Sequence, residues 1–354
     1  MTANPTAFIR RRIGDISAYH VEPYPADVIL DANESPYPPP PALAGRLRRI
    51  MGEVALNRYP DMNAVALRRA IAKMEGVDEA EILLGNGSDE IISFLIQSTL
   101  DPGGWILTPS PTFSMYKHTA YCLNVETAEI PLLDDWSLDV AKTLDEIKNK
   151  KPGVIFLASP NNPTANCVSP SALSAIIEAA PGIVVVDEAY VDFADSSVGP
   201  LFHERPNVVV LKTLSKAGFA ALRLGYMMAD KRLVSGVNKT RLPYNINSLT
   251  QALATEVVNS WGELLPLFGE IKKERERMFT ALSAIPFMEP YPSQANFILA
   301  QVKQDAQRVF GALLKSGVRV RWFKESARLG NFFRVTVGSP VENDKLINAL
   351  NGMS

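Results

Sequence analysis

The sequence predicts an α/β fold built on a mainly parallel sheet with helices on both faces, for three reasons. Short runs rich in valine, isoleucine and leucine recur through the middle of the chain, each followed by a turn. The runs are apolar at successive positions, which is typical of strands buried on both faces. Segments with helical periodicity separate the runs, as crossovers between parallel strands require.

Five segments show this pattern, and we expect each to begin with a strand. In order they are EILLGNGSDEIISFLIQSTL at 81–100, GWILTPSPTFSMYKH at 104–118, GVIFLASPNNPT at 153–164, GIVVVDEAYVDF at 182–193 and NVVVLKTLSK at 207–216. Together they predict one large domain.

The pattern changes from about Gln251 onward. A long amphipathic stretch through EIKKERERMFTALSAI is followed by ANFILAQV, a helical segment near 304–316, GVRVRWF and NFFRVTVG. Helices alternating with few strands predict a smaller α+β domain. Near the other end, ESPYPPPPAL at 34–43 is too rich in proline for a helix interior or a central strand, so we expect it to be extended. The predicted divisions are an N-terminal arm at 1–32, a large domain at 33–248 and a small domain at 249–354 that packs with the arm.

Composition excludes several classes of partner. The 354 residues are 47% hydrophobic and 21% charged, as in an ordinary globular protein. A net charge of −2 without a basic stripe argues against nucleic acid. The sequence contains no apolar run long enough to predict a membrane span. The N-terminal arginines are not followed by the apolar segment that a signal peptide has. Two cysteines and three histidines predict neither a disulfide framework nor a metal site, and they favour a cytoplasmic location.

Polar residues follow four of the predicted strands. EILL leads into GNGSDE, VIFLASPN into Asn162, IVVV into Asp187 and then Tyr190, and VVVLKTLS into Lys216. Ligands of open parallel sheets bind beyond the carboxyl ends of the strands, because loops and helix N-termini converge there. We therefore expect these residues to form one site.

The GNGSDE motif predicts a cradle for a phosphate at Gly87, Ser88 and Asp89. Glycines permit a tight turn and a close backbone approach, and the following helix offers unpaired N–H groups to an anion. The motif lacks the third glycine of a dinucleotide fingerprint, where Glu90 stands, and the lysine of a P-loop. The same residues also fit an ordinary strand–turn–helix junction capped by Ser88 or Asp89.

The other three positions also have ordinary alternatives. Lys216 precedes small residues at Ala217, Gly218, Ala220 and Ala221, which leave room for a bulky group beside the amine, and Arg223 adds a second cation. Most lysines, however, are solvated surface residues. Asp187 follows a buried strand and needs a positive partner, or else it caps the next segment. Asn162 precedes a proline and also fits a simple turn.

Together these groups meet the requirements of pyridoxal phosphate. That cofactor needs a lysine for a Schiff base, an acid that keeps its pyridine nitrogen protonated and a site for its phosphate. Lys216, Asp187 and the GNGSDE cradle supply these three. We expect Asn162 and Tyr190 to contact the O3′ oxygen of the cofactor. Ser215 and Arg223 are expected at its phosphate, and Phe113 on the face of its ring.

From about Ile16 to its end, the chain resembles the fold-type-I pyridoxal-phosphate aminotransferases, and within them the histidinol-phosphate subgroup. The motifs that carry the resemblance are LDANESPYPPP, NRYPD, GNGSDE, SPTFSMY, SPNNPT, DEAYVDF, TLSKAGFAALRLGY, ANFIL, GVRVRWF and NFFRVTVGSPVEN. One departure is Ala165, because the wider family often has glycine after NPT.

The resemblance implies a role for each matched position. Lys216 is the Schiff-base lysine and also moves a proton between the substrate Cα and the cofactor, while Asp187 is the pyridinium partner. With Tyr190, these are the implied catalytic residues. Tyr59 of NRYPD reaches the cofactor phosphate of a neighbouring subunit, which implies a homodimer. The cofactor-binding set is Gly87, Ser88, Asp89, Phe113, Asn162, Asp187, Tyr190, Ser215, Lys216, Arg223 and Tyr59.

Four positions are implied in substrate binding: Tyr19, Asn33, Arg321 and Arg334. Arg334, in FFRVTVG, matches the position that binds the α-carboxylate in related aminotransferases. In the histidinol-phosphate subgroup both arginines, with Tyr19, hold the substrate phosphate. Arg321 lies between valine and tryptophan and also fits a surface strand residue whose charged end reaches solvent.

The implied reaction transfers an amino group between L-histidinol phosphate and 2-oxoglutarate, giving imidazole-acetol phosphate and L-glutamate, in histidine biosynthesis. It is of the ping-pong type, with the cofactor carrying the nitrogen between half-reactions. An aromatic or broad-specificity aminotransferase and a threonine-phosphate decarboxylase share nearly every cofactor residue and remain open. A non-catalytic ligand-sensing domain is disfavoured because no helix-turn-helix extension or basic patch is present. A nicotinamide-dependent oxidoreductase is disfavoured by the missing third glycine.

Overall fold

A computed structural model describes residues 5–18 and 24–353. The strands in this part of the chain are β1 (Val28–Leu30), β2 (Ile82–Asn86), β3 (Trp105–Ser110), β4 (Glu126–Pro131), β5 (Val154–Ala158), β6 (Ile183–Asp187), β7 (Val208–Thr213), β8 (Leu224–Met228), β9 (Met288–Pro290), β10 (Phe297–Val302), β11 (Val318–Trp322) and β12 (Phe332–Thr336). The α-helices are α1 (Arg11–Gly14), α2 (Pro41–Glu53), α3 (Val65–Glu75), α4 (Gly87–Thr99), α5 (Met115–Cys122), α6 (Val140–Lys150), α7 (Pro170–Ala179), α8 (Lys231–Val237), α9 (Ser248–Asn259), α10 (Leu265–Ser283), α11 (Ala306–Lys315) and α12 (Pro340–Asn351).

The larger sheet has the strand order β2-β8-β7-β6-β5-β3-β4 within the described residues. Strands β3 to β7 pair in parallel. Strand β8 is antiparallel to both β7 and β2, so β2 runs in the same direction as β7. The predicted, mainly parallel sheet is therefore confirmed, and β2, β5, β6 and β7 end at the same edge.

Helices cover both faces of this sheet because alternate residues of each strand point to opposite faces. Val154 and Phe156 of β5 pack with α4, α5 and α8 on one face. Ile155 and Leu157 of the same strand pack on the other face with α3, α6, α7 and α9. The successive apolar positions that predicted the strand are thus all buried.

The smaller sheet has the order β1-β11-β12-β10-β9, and α10, α11 and α12 pack against it. Among its last four strands, each pair of neighbours is antiparallel. Strand β1, from the N-terminal segment, pairs in parallel with β11, Val28 lying opposite Val318. The exact domain boundaries at residues 32 and 248 stay a prediction.

The proline-rich segment is extended only in part. Residues up to Pro40 are irregular, but α2 begins at Pro41. The prediction of an extended segment through residue 43 was therefore wrong for its last three residues. Proline is well suited to the first position of a helix, since the N–H that it lacks would have no partner there.

Within residues 5–18 and 24–353, no helix combines the length and apolar character needed to span a bilayer. The cytoplasmic location stays a prediction.

Candidate active site

A cavity of about 670 Å³ opens at the carboxyl edge of the larger sheet. Its wall takes residues from both sheets and from the segment after β1. The predicted site residues on this wall are Asn33, Gly87, Ser88, Asp89, Phe113, Asn162, Asp187, Tyr190, Ser215, Lys216, Arg223, Arg321 and Arg334. The expectation that residues far apart in the sequence meet at one edge thus holds in the structure.

Of the predicted residues that the structure describes, Tyr59 is not on this wall. Tyr59 is 82% exposed at the protein surface, where its ring stacks on that of Tyr244 at a centroid distance of 4.7 Å. Tyr19 lies outside the described residues.

The GNGSDE motif forms an uncapped helix start at the cavity. Helix α4 begins at Gly87, and Asn86, at the capping position, makes no side-chain hydrogen bond to the first turn. The ordinary capped junction is therefore not what the structure contains. The first N–H groups of a helix have no partner within the helix and carry its positive dipole end. An anion can accept hydrogen bonds from them.

Arg223 lies directly against this helix start. Its carbonyl oxygen accepts a hydrogen bond from the Gly87 N–H at 2.7 Å. Gly87 has a φ of +76°, a conformation that favours glycine, and a Cβ there would lie 2.7 Å from the Arg223 Nη2 and displace the guanidinium. The guanidinium also donates to the Ser215 hydroxyl at 3.4 Å and lies 3.6 Å from the Asp89 carboxylate. A guanidinium, a hydroxyl and a helix N-terminus thus meet at one corner, as a phosphate site requires.

Asp187 is a buried acid that has no cationic partner among the described residues. It ends β6 and is 4% exposed. The Tyr116 hydroxyl donates to its Oδ2, and the Ala189 N–H donates to Oδ1 at 3.0 Å. Burial raises the pKa of Asp187 to about 6, although these two hydrogen bonds lower it. Within the described residues no ion pair to this carboxylate forms, so a cation bound in the cavity is its natural partner.

Tyr116 is a site residue that the sequence reasoning missed. Its ring is fully buried and stacks on Phe156 at 4.6 Å, while its hydroxyl holds Asp187. In the sequence, Tyr116 is one more aromatic residue of SPTFSMY. No sequence signal separates it from a core residue, because the packing of α5 on the sheet decides where its hydroxyl lies.

Two amides fix the hydroxyl of Tyr190. Asn33 Nδ2 donates to it at 3.0 Å and Asn162 Nδ2 at 3.3 Å. A phenol oxygen accepts two hydrogen bonds and donates one, so the Tyr190 proton remains available to a ligand in the cavity. Asn33 is itself held by Thr336, which accepts from its N–H at 3.0 Å. The amide of Asn33, predicted to bind substrate, positions Tyr190 in this structure.

Lys216 occupies the turn after β7. Its amine donates to the Ala32 carbonyl oxygen at 3.2 Å and lies 5.9 Å from the centre of the Tyr190 ring. Gly218, with a φ of +103°, allows the chain to turn immediately after the lysine. The structure thus places Lys216 on the cavity wall and not on an open surface.

Arg321 and Arg334 form a second positive region of the cavity. They are opposite each other on β11 and β12, where like charges repel unless an anion binds between them. Arg334 is 9% exposed and donates to the Asn162 Oδ1 at 2.6 Å and to the Asp31 carbonyl oxygen. Arg321 lies over Phe323 at 5.8 Å, and the described residues form no ion pair with it. The interpretation of Arg321 as an ordinary surface residue does not fit this position.

The raised pKa of Asp187 predicts how the stability of the ligand-free protein varies with pH. Folding raises this pKa from 3.8 to about 6, so protonation stabilises the folded state at low pH, and this contribution is lost as the pH rises through about 6. Asp187→Asn cannot titrate. Relative to that variant, we expect the free energy of unfolding of the unaltered protein to fall by about 2 kcal/mol between about pH 4.5 and about pH 7. Urea titrations measure this difference, and a constant value over the range would contradict the prediction.

The fold and the cavity are those of an aminotransferase. The family model described as aminotransferase class I and II matches residues 26–350, and the chain belongs to this family. The predicted fold-type-I architecture is thereby confirmed.

Among curated proteins, the chain is 39% identical to a histidinol-phosphate aminotransferase of Chromobacterium violaceum, over 97% of this chain and 96% of that protein. It is 38% identical to histidinol-phosphate aminotransferase 2 of Nitrosococcus oceani, over 97% and 96% respectively. A solved structure, histidinol-phosphate aminotransferase from Sinorhizobium meliloti in complex with pyridoxal-5′-phosphate, has a TM-score of 0.89 at 22% identity, covering 99% of this chain and 100% of that one.

Proposed function

We propose that this protein uses pyridoxal phosphate to transfer an amino group between L-histidinol phosphate and 2-oxoglutarate, giving imidazole-acetol phosphate and L-glutamate in histidine biosynthesis. One observation carries the proposal. A single cavity joins Lys216 and the buried Asp187 to two anion-binding regions, one at Arg223 and one at the pair of Arg321 and Arg334. A phosphorylated cofactor and a phosphorylated substrate need two such regions. The names of relatives at 38–39% identity support the choice of substrate.

The residues on the wall fit pyridoxal phosphate. Asp187 is the buried carboxylate that a protonated ring nitrogen would pair with, and Lys216 is the amine that would bond the cofactor covalently. When bound, the cofactor withdraws electrons from the substrate Cα and carries the nitrogen between half-reactions. The phosphate set is Gly87, Ser88, Asp89, Ser215 and Arg223, and the ring set is Phe113, Asn162 and Tyr190.

The chain's own residues then divide the work of proton transfer and binding. The Lys216 amine takes the proton from the substrate Cα and would pass it to the cofactor. In the reverse direction the same amine would carry the proton back to Cα. Asp187 stabilises a proton on the group beside it, because a buried carboxylate gains from a cationic neighbour. The Tyr190 hydroxyl donates into the cavity. Arg321 and Arg334 bind the anionic ends of the substrate.

Substrate choice is tested by comparing L-histidinol phosphate, L-histidinol and L-phenylalanine. We expect the phosphorylated substrate to have the highest kcat/KM. Arg321→Met should raise its KM by about 10- to 100-fold, the effect of losing a hydrogen bond to a charged group. L-Histidinol lacks the phosphate and serves as the matched control, with a smaller change. A higher kcat/KM for L-phenylalanine, or release of CO₂ from threonine phosphate, would favour the alternatives within the family.

We also propose a homodimer in which Tyr59 of one subunit reaches the cofactor phosphate of the other. An exposed patch supports this: Tyr59 is 82% and Leu56 81% exposed, and Met62, Leu242 and Tyr244 are exposed as well. Large apolar side chains grouped on a surface are typical of interaction sites. Tyr59 is also absent from the cavity wall of its own chain.

Subunit mixing tests this arrangement. Lys216→Ala and Tyr59→Ala chains, each weakly active alone, should regain about a quarter of the unaltered activity after exchange, because half of the dimers are mixed and one of their two sites is intact. If Tyr59 acted within its own chain, no mixed dimer would contain an intact site. Activity no higher than the sum of the two parents would then contradict the proposal.

A further inference from the structure

We propose that Arg319 is a positioning residue that keeps the anion-binding arginines of the cavity available to substrate by neutralising Asp31. The inference deepens the proposed function and rests on it for the identity of the substrate. Arg319, Arg321 and Arg334 all line the cavity. Only the last two match positions implicated in substrate binding by the resemblance, and Arg319 therefore needs an explanation of its own.

Arg319 and Arg321 lie two residues apart on β11, so their side chains leave the same face of the strand. Their surroundings differ. The Arg319 Nε lies 2.7 Å from the Asp31 Oδ2, and its Nη2 donates to the Asp31 Oδ1 at 3.4 Å. Its Nη1 donates to the Tyr24 carbonyl oxygen at 2.8 Å. Two nitrogens of Arg319 thus donate hydrogen bonds within the protein, and the Nε is in ion-pair contact with Asp31, so the guanidinium is already occupied before any substrate binds.

Asp31 is placed to interfere with substrate binding. It follows β1 directly, is 9% exposed and lies on the cavity wall. Its carbonyl oxygen already accepts a hydrogen bond from the Arg334 Nη2. Among residues 5–18 and 24–353, the other carboxylates on the wall are Asp89, at the phosphate corner, and Asp187, at the end of β6. Within this part of the chain, Asp31 is an acid that a hydrogen bond links directly to the pair of Arg321 and Arg334.

The presence of Arg319 determines which cationic side chain pairs with the Asp31 carboxylate. A side chain has only a few staggered rotamers, and a buried carboxylate without a partner is strongly unfavourable. If Arg319 were absent, Asp31 would gain most by turning to Arg334 or Arg321. It would then occupy the positive charge that the substrate's anionic group needs. With Arg319 present, the charge of Asp31 is neutralised, and the positive electrostatic potential of Arg321 and Arg334 remains available to the anionic group of the substrate.

Pairing of β1 with β11 does not require this ion pair. The two strands share three registered residue pairs. Val28, Leu30, Val318 and Val320 are also buried in the core between them. The apolar contacts and the backbone ladder hold the strand in place, so a role limited to strand pairing leaves the position of Arg319 on the cavity wall unexplained.

A double-mutant cycle on the holoenzyme tests the proposal. Its members are Arg319→Met, Asp31→Asn and the double variant. We expect Arg319→Met to raise the KM for L-histidinol phosphate, and the Kd of inorganic phosphate measured by calorimetry, by about 10-fold or more, as for a buried charge left without its partner. In the double variant no carboxylate competes, and both constants should return to within about 3-fold of the unaltered values. We expect kcat to fall less than KM rises.

Rescue by Asp31→Asn separates this role from the alternatives. If Arg319 contacted substrate itself, removing Asp31 would restore nothing, so a double variant as weak as Arg319→Met overturns the proposal. An Arg319→Met variant that binds phosphate as tightly as the unaltered enzyme also overturns it. Arg277→Met is a matched control, since Arg277 pairs with Glu274 and Asp344 on α10 and α12, away from the cavity. It should lower the Tm without raising KM.

The two proposals fail in different ways. If L-histidinol phosphate is not a substrate of the unaltered enzyme, the proposed function fails. The phosphate Kd values still test Arg319 in that case, because they depend only on the arginines and Asp31. If turnover is as proposed but the cycle shows no rescue, the role of Arg319 alone is wrong.

Discussion

Lys216→Ala abolishes turnover, with an expected loss in kcat of at least about 10³-fold. The amine is the one group on the cavity wall that the proposed mechanism uses both to bond the cofactor and to move the substrate proton, and removing a positioned acid–base group alone costs about 10²- to 10⁴-fold. The groups that contact the amine within the described part of the chain are the Ala32 carbonyl oxygen and the Tyr190 ring, and neither can form the covalent bond in its place.

The measurement is transfer of the amino group from L-histidinol phosphate to 2-oxoglutarate, together with intact mass after borohydride treatment. The unaltered enzyme should gain the mass of the cofactor at Lys216, and the variant should not. Lys231→Ala is the control, since Lys231 is an exposed lysine at the start of α8 and should retain full activity. Normal transamination by Lys216→Ala would refute the mechanism.

Asp187→Asn has the second largest expected effect, a fall in kcat of at least about 10²-fold. Asparagine has nearly the same shape: its Oδ1 can accept from the Ala189 N–H, and its Nδ2 can donate to the Tyr116 hydroxyl, which donates to Asp187 in the unaltered protein. What it lacks is the negative charge. The buried site would then no longer stabilise a cationic neighbour, such as the protonated ring nitrogen of a bound cofactor.

Tyr116→Phe is the graded comparison for Asp187→Asn. It keeps the charge and removes one hydrogen bond to it, so we expect a loss of only about 10-fold, as for a hydrogen bond to a charged group. Steady-state kinetics with saturating cofactor compare the two variants, and circular dichroism checks that both fold. An Asp187→Asn enzyme as active as Tyr116→Phe would show that the charge of Asp187 is not needed.

Much of the site was predictable because its residues directly follow strands. IVVV ends in Asp187, and Lys216 comes three residues after the end of β7. A strand buried on both faces is recognisable from local composition, and parallel strands must end at the same edge. The relation between Asp187, Lys216 and GNGSDE therefore follows from local patterns, without knowledge of long-range contacts.

Local conformation was less accessible to sequence reasoning. Ala165 departs from the glycine that the wider family often has, and in the structure it has a φ of 64° and is fully buried. Glycine is favoured in that left-handed region because it has no Cβ. The family preference thus has a backbone cause that composition alone does not reveal, and this chain adopts the conformation with alanine.

The pattern of apolar runs was enough to define five strands of the larger sheet and the chemistry gathered at their carboxyl edge, since each of these depends on neighbours along the chain, but it did not predict β4 or β8. Packing of the two sheets alone decided which groups touch across the cavity. Asn33 and Tyr190 are 157 residues apart, and Asp31 and Arg334 are 303 apart. Such contacts depend on how β1 and β12 dock beside the larger sheet, and no local periodicity encodes that docking.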